Sequence, residues 1–310
     1  MIHQTGERMN SSKISIRGTQ IYVEDYNSDC NEVLLYLHGG PGASCVDFSY
    51  YQAKALSKSL RVIALDQRGV LRSDPIGIDE QFGINDIIQD LEELRIQFNI
   101  SKWTLLGHSF GGYLAAKYAL IYPNSIEKII FEAPCFDVLK ATRSIISMAK
   151  NHSIKNRMAD LADVCDYYLS ENNSANVMWN ALGEVFQVLG EDKDLLYLHS
   201  ITPQRYNEII ESQICSNELW EKNIIHNQKL QDEGGFFEDL LPILPKISHP
   251  TLLLAGTYDP VCCNEQQSGY LNNIQNGQII NFERSAHFPR LEQPEKYTTE
   301  VLKFILEIET

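Results

Sequence analysis

The run Trp103-Thr104-Leu105-Leu106-Gly107-His108-Ser109-Phe110-Gly111-Gly112 decides how the rest of this chain is read. Its first four residues are apolar enough, and few enough, for a buried strand. Beyond them Tyr113, Leu114, Ala116, Tyr118 and Ala119 recur at helical spacing. Between the two patterns Gly107-His108-Ser109-Phe110-Gly111 fits G-x-S-x-G, a strand-to-helix turn that lifts a serine hydroxyl off a sheet. So tight a turn strains the serine backbone and leaves its neighbours no room for side chains. The helix beginning after Ser109 would aim its free N–H groups and positive dipole end where an oxyanion forms. Glycine and serine are also common in plain loops, so partners elsewhere in the chain must decide.

Working outward, the pattern is that of alternating strands and helices. Residues 13–25 alternate around Arg17-Gly18-Thr19 and predict an antiparallel hairpin. Val33 to Leu37, Arg61 to Leu65 and Ile126 to Phe131 are continuous apolar runs, as expected of strands buried on both faces. Helical patterns lie between them at 46–59 and 84–96. This succession predicts an α/β architecture with a mostly parallel sheet and helices on both faces. The rhythm stops after Pro134 and returns at Thr251 to Gly256 and Gln278 to Phe282, before a closing helix from Pro294. The intervening stretch shows five helical patterns and no strand, and its charge is acidic. The expected organisation is core 1–135, inserted helical cap 136–247, core 248–310. The cap tryptophans Trp179 and Trp220 are expected to pack inside it.

Bulk properties narrow the function. With 310 residues the chain can hold one large α/β domain with an insertion, or two modest ones. A net charge of −15 argues against general electrostatic binding to nucleic acid or anionic membrane. No apolar run approaches a membrane span, and the first eight residues lack the apolar segment of a secretory leader. The seven cysteines are scattered and odd in number, without C-x-x-C spacing, which speaks against a disulfide framework or a zinc site. A cytoplasmic protein without cofactor or metal is expected, acting on a small molecule or short peptide. The pattern fixes no oligomeric state.

Two further residues complete a candidate constellation. Asp259 and His287, like Ser109, fall just past the carboxyl end of an expected strand, the edge where open α/β sheets bind ligands. A serine hydroxyl becomes a nucleophile when an imidazole takes its proton, and the imidazole needs a carboxylate to fix its tautomer. His108 is a rival imidazole, but adjacent residues on a tight turn point apart, so it reads as a packing residue. His38-Gly39-Gly40-Pro41-Gly42, at the end of another strand, offers a second backbone donor for an oxyanion, the N–H of Gly40.

With these residues in hand the chain resembles α/β hydrolases of the proline iminopeptidase group. The motifs that carry the resemblance are His38-Gly39-Gly40-Pro41-Gly42, Asp66-Gln67-Arg68-Gly69 with Ser73, Gly107 to Gly112, Gly256-Thr257-Tyr258-Asp259 and Ala286-His287. They span roughly residues 20–135 and 248–308, and the order Ser, Asp, His is that of the superfamily. The resemblance implies a metal-free serine hydrolase with triad Ser109, His287 and Asp259 and an oxyanion hole from the Gly40 and Phe110 N–H groups. It further implies release of an N-terminal residue, with an acidic cap residue holding the free amine; by position that residue is Glu218. Two departures stand against this. Leu71 occupies the place of the second glycine in Asp-Gln-Arg-Gly-x-Gly-x-Ser, and Pro260 stands where an acid can follow the catalytic Asp. They favour the alternatives of an esterase, amidase or lactonase, while a binding or signalling protein on the same fold is a third reading. An epoxide hydrolase or dehalogenase would carry Asp at the position of Ser109.

Overall fold

The computed structural model describes residues 9–214 and 216–308, so the first eight residues considered above and Cys215 lie outside it. Eight strands form one sheet: β1 (Met9–Ile16), β2 (Thr19–Tyr26), β3 (Val33–Leu37), β4 (Arg61–Leu65), β5 (Trp103–His108), β6 (Ile126–Glu132), β7 (Thr251–Gly256) and β8 (Gly277–Phe282). Their spatial order is β1-β2-β4-β3-β5-β6-β7-β8. β1 and β2 pair antiparallel through a turn at Arg17 and Gly18, and β2 pairs antiparallel with β4. From β4 onward every pairing is parallel. Buried apolar runs such as Leu34–Leu37 and Leu252–Leu254 belong to strands covered on both faces.

On one face of the sheet pack α3 (Ile84–Gln97) and α4 (Phe110–Ile121), through Ile87, Leu91, Leu114 and Tyr118. On the other, Phe48, Leu56, Tyr297, Val301 and Ile305 close a second layer. They come from α1 (Val46–Phe48), α2 (Lys54–Leu56) and α12 (Pro294–Leu306); a π turn at Ser49–Ala53 joins α1 to α2, where the sequence predicts one continuous helix.

Between β6 and β7 the described residues are helical only. α5 (Val138–Asn156), α6 (Ala159–Ser170) and α7 (Ala175–Leu189) share a core of their own around Ile146, Cys165, Met178 and Val185. A 3₁₀ segment (Gly190–Leu196), α8 (Pro203–Gln213) and α9 (Asn217–Glu233) follow. After β7 come α10 (Asn264–Asn273) and, past β8, the short α11 (Pro289–Glu292). α10 has no counterpart in the sequence reading, because Asn264-Glu265-Gln266-Gln267 carries almost no apolar periodicity. None of the described helices is long and apolar enough to cross a membrane.

Candidate active site

Ser109 joins β5 to α4 with φ 55° and ψ −118°, a conformation that non-glycine residues rarely adopt. The turn closes because Gly107 and Gly111 have no side chains. A methyl on Gly107 would overlap the Gly111 carbonyl, and one on Gly111 would overlap the carbonyl of Leu37. The Ser109 N–H donates to the Glu132 carbonyl at 3.0 Å, and its own carbonyl accepts from Cys135 N–H at 3.2 Å. The end of β6 therefore brackets the turn from both sides.

Asp259 and His287 come from the ends of β7 and β8. Asp259 Oδ1 lies 3.0 Å from His287 Nδ1 and also accepts from the Val261 N–H at 2.8 Å. A carboxylate can only accept, so Nδ1 carries the proton and Nε2 is left as the basic nitrogen. The backbone of the histidine loop is tied into the cap. His287 N–H donates to the Tyr197 carbonyl at 3.0 Å, and buried Glu292 takes N–H bonds from Ala286 on one oxygen and from His199 and Ser200 on the other.

Gly40 and Phe110 face the same cavity as Ser109 and His287, and neither amide donates a hydrogen bond to another group among the described residues. Gly40 has φ +111°, and a Cβ there would strike the Gly42 and Ala43 amides, so only glycine fits this bend. The loop is fixed by His38, whose Nε2 accepts from the Gln67 N–H at 3.0 Å, leaving Nδ1–H for the Gly39 carbonyl at 2.9 Å. Burial lowers the His38 pKa, which keeps it neutral for this task.

His108 packs. Its ring sits 4.7 Å from that of His287 and 5.1 Å from that of Phe288. Burial first, then the charges of Arg290 and His287, hold its pKa well below the ordinary imidazole range. Under the histidines lies a buried polar cluster that the sequence reading did not find. Arg290, only 1% exposed, pairs with Asp47 Oδ2 at 2.6 Å and Glu132 Oε1 at 2.9 Å, and Tyr297 OH donates to Glu132 Oε2 at 2.9 Å. Burial raises the Glu132 pKa against the opposing pull of Arg290. An arginine amid the apolar His287-Phe288-Pro289-Arg290-Leu291 was the available signal, since a charge there must be paired to be buried.

The cavity over these groups has a volume of about 620 Å³, ample for a small ligand. Its walls are mainly apolar, from Val138, Ile145, Leu182, Phe236 and Val261. Trp179 lines it too, edge-on to Phe236 at 5.0 Å, instead of packing wholly within the cap; Trp220 does pack, against Val70 and Leu71. Glu218 is not brought to the site. It lies exposed in the first turn of α9, on a part of that helix that does not line the cavity. The carboxylates that do line it are Asp47 from the core and Asp194 from the cap.

Fold and site together define a hydrolase of the serine type. The chain belongs to the alpha/beta hydrolase fold family, whose sequence profile matches residues 32–294. It is 27% identical to a proline iminopeptidase of Heyndrickxia coagulans, over 94% of this chain and 97% of that protein. It is 29% identical to a proline iminopeptidase of Saccharolobus solfataricus, over 94% and 90% respectively. Among solved structures, a proline iminopeptidase-related protein from Thermus thermophilus superposes with a TM-score of 0.75 at 19% identity, covering 96% of this chain and 98% of that one.

Proposed function

We propose that the protein cleaves small acyl substrates through a covalent intermediate on Ser109, releasing the N-terminal residue of short peptides in the manner of its iminopeptidase relatives. The observation that carries the reading is the Asp259–His287 pair, at 3.0 Å, opening on the cavity that Ser109 also lines. His287 Nε2 takes the Ser109 proton as the hydroxyl attacks the substrate carbonyl. The Gly40 and Phe110 N–H groups receive the oxyanion, helped by the dipole of α4. Asp259 holds the imidazole in the needed tautomer and stabilises its charged form. His287 then gives the proton to the leaving amine, and a water it activates hydrolyses the acyl-enzyme.

A second reading, hydrolysis of short esters or lactones, is favoured by the exposure of Glu218 and by Pro260 directly after Asp259. Turnover of Pro-p-nitroanilide, N-acetyl-Pro-p-nitroanilide and short p-nitrophenyl esters on one preparation separates the two. The expected result is a preference of orders of magnitude in kcat/KM for the free amine. Good ester turnover with Pro-p-nitroanilide untouched would replace the peptidase reading by the esterase one. Ser109→Ala should lower kcat by about 10⁶ and Asp259→Asn by roughly 10⁴. Ser109→Ala should also abolish labelling by a fluorophosphonate; labelling that persists would remove Ser109 from the mechanism.

A further inference from the structure

α7 carries a glycine that neither its backbone nor its packing explains. Among the described glycines, four have no atom within 4 Å of the point where a Cβ would stand: Gly18, Gly183, Gly190 and Gly234. Gly18, Gly190 and Gly234 have φ between +58° and +83°, where glycine is favoured for its backbone freedom. Gly183 has no positive φ and lies inside a helix, where glycine is the poorest former after proline. α7 turns one face into the cap core through Met178, Ala181, Val185 and Leu189. Its neighbouring face, with Trp179, Asn180, Gly183 and Phe186, lines the cavity that Ser109 also lines. The described cavity residues are buried or half-buried with three exceptions: Gly40, and Asn180 and Gly183, which lie one helical turn apart. The cavity therefore meets solvent along this turn of α7, and at Gly183 the wall has no side chain.

The cavity itself is short. Its volume of about 620 Å³ is that of a cube about 8.5 Å on edge, whereas an extended chain advances about 3.3–3.6 Å per residue. Two or three residues fill it, so a longer substrate has to leave through the wall. We propose that the turn of α7 at Gly183 is the passage by which a substrate too long for the cavity reaches solvent, so that the site takes extended peptides as well as di- and tripeptides. This rests on the reading of Ser109 as the nucleophile of a peptidase. Gly183 then determines specificity for substrate length: a side chain here meets no packed neighbour and occupies the mouth instead.

Labelling of Ser109 reads the passage without turnover. Two probes are compared: compact diisopropyl fluorophosphate, and a fluorophosphonate with a polyethylene glycol–biotin tail too long for the cavity to contain. Gly183→Trp should lower the ratio of long-probe to compact-probe labelling rates at least about tenfold, the low end of steric discrimination by a pocket. Gly183→Leu should lower it in the same direction, and it carries the comparison should Gly183→Trp fail to fold. Gly183→Ala should keep the ratio and raise Tm, since a methyl fits the open space and improves the helix. Gln187→Trp, exposed on the same helix but outside the cavity, should keep the ratio too. A ratio unchanged in both Gly183→Trp and Gly183→Leu, or lowered as much by Gln187→Trp, overturns the proposal. The two readings fail separately. A ratio that responds to Gly183→Trp, in a protein that leaves Pro-p-nitroanilide and proline-led hexapeptides intact, removes the peptidase function and keeps the passage. Cleavage of those peptides with a ratio indifferent to Gly183 does the reverse.

Discussion

Leu71 shows how one residue departs from a motif and what it receives in exchange. It stands where the resemblance implies glycine, and its φ of +34° explains the glycine, since the left-handed region strains an L side chain by roughly 1–2 kcal/mol. Against that strain, the side chain is fully buried among Val46, Val70 and Ile214, with Leu219 and Trp220 of the cap beside it. Truncating a buried leucine costs about 2–5 kcal/mol, so packing wins. Leu71→Gly should therefore destabilise the protein, by about 1–3 kcal/mol in urea unfolding, even though it relieves the backbone. Leu71→Ala should be worse than Leu71→Gly, because it loses the packing and keeps the strain. That inverts the usual order of the two residues, and finding the usual order would show that the turn carries no strain.

At the scale of elements, α9 belongs as much to the catalytic edge as to the cap. Asn223 bridges two core loops: its Nδ2 donates to the Gly42 carbonyl at 2.5 Å, and its Oδ1 accepts from the Leu71 N–H at 3.1 Å. His226 Nδ1–H reaches the Arg68 carbonyl at 2.8 Å, and Lys222 Nζ the Ser73 carbonyl at 2.8 Å. Asn223→Ala would strand two buried backbone groups, so a loss of about 2–3 kcal/mol is expected in thermal or urea unfolding. The Gly40 loop would lose an anchor at the same time, and kcat/KM should fall with it. Unchanged stability would show that water replaces the asparagine. These contacts also show where sequence reading stops. The strands, the Ser109 turn and the loops at His38 and Asp66 were legible because each answers a local demand, such as a positive φ, a close backbone approach or a two-sided apolar run. The cap helices were legible as helices for the same reason. Which face of a cap segment meets the cavity is set by tertiary packing, so Glu218 was nominated and Asp194, which lines the cavity, was passed over. The motif residues were placed by chemistry, and the walls around them only by the fold.

At the scale of the whole molecule, three buried histidines couple stability to pH. Burial lowers the pKa values of His38 and His108, and that of His226 to about 3. Each stays neutral in the folded protein at a pH where its unfolded counterpart takes up a proton. For His226 the window runs between pH about 6.5 and 3: the unfolded chain binds the extra proton there, so stability rises with pH and is lost as pH falls through it. Within it His226 contributes a slope approaching about 1.4 kcal/mol per pH unit once its unfolded form is protonated. The wild type carries a net charge of −15, whose self-repulsion eases as pH falls toward the pI near 5.0 and over that range works the other way. The difference between wild type and His226→Gln isolates one histidine. In urea unfolding from pH 7 to pH 5 the variant should lose stability less steeply than the wild type, and parallel curves would show that His226 titrates alike in both states.

The neighbouring strands β6 and β7 are separated in the chain by the entire helical insertion. During synthesis the ribosome therefore delivers Ser109 long before Asp259 and His287, and the nascent chain carries the serine turn without the Asp259–His287 pair. Until β7 arrives, β6 is an open sheet edge, free to pair with another chain. Closing the sheet across so long a loop is slow, because its ends must meet before any contact rewards them. The burden of the design thus falls on the interval before the last two strands dock, when the emerging protein has an incomplete site and is most exposed to aggregation.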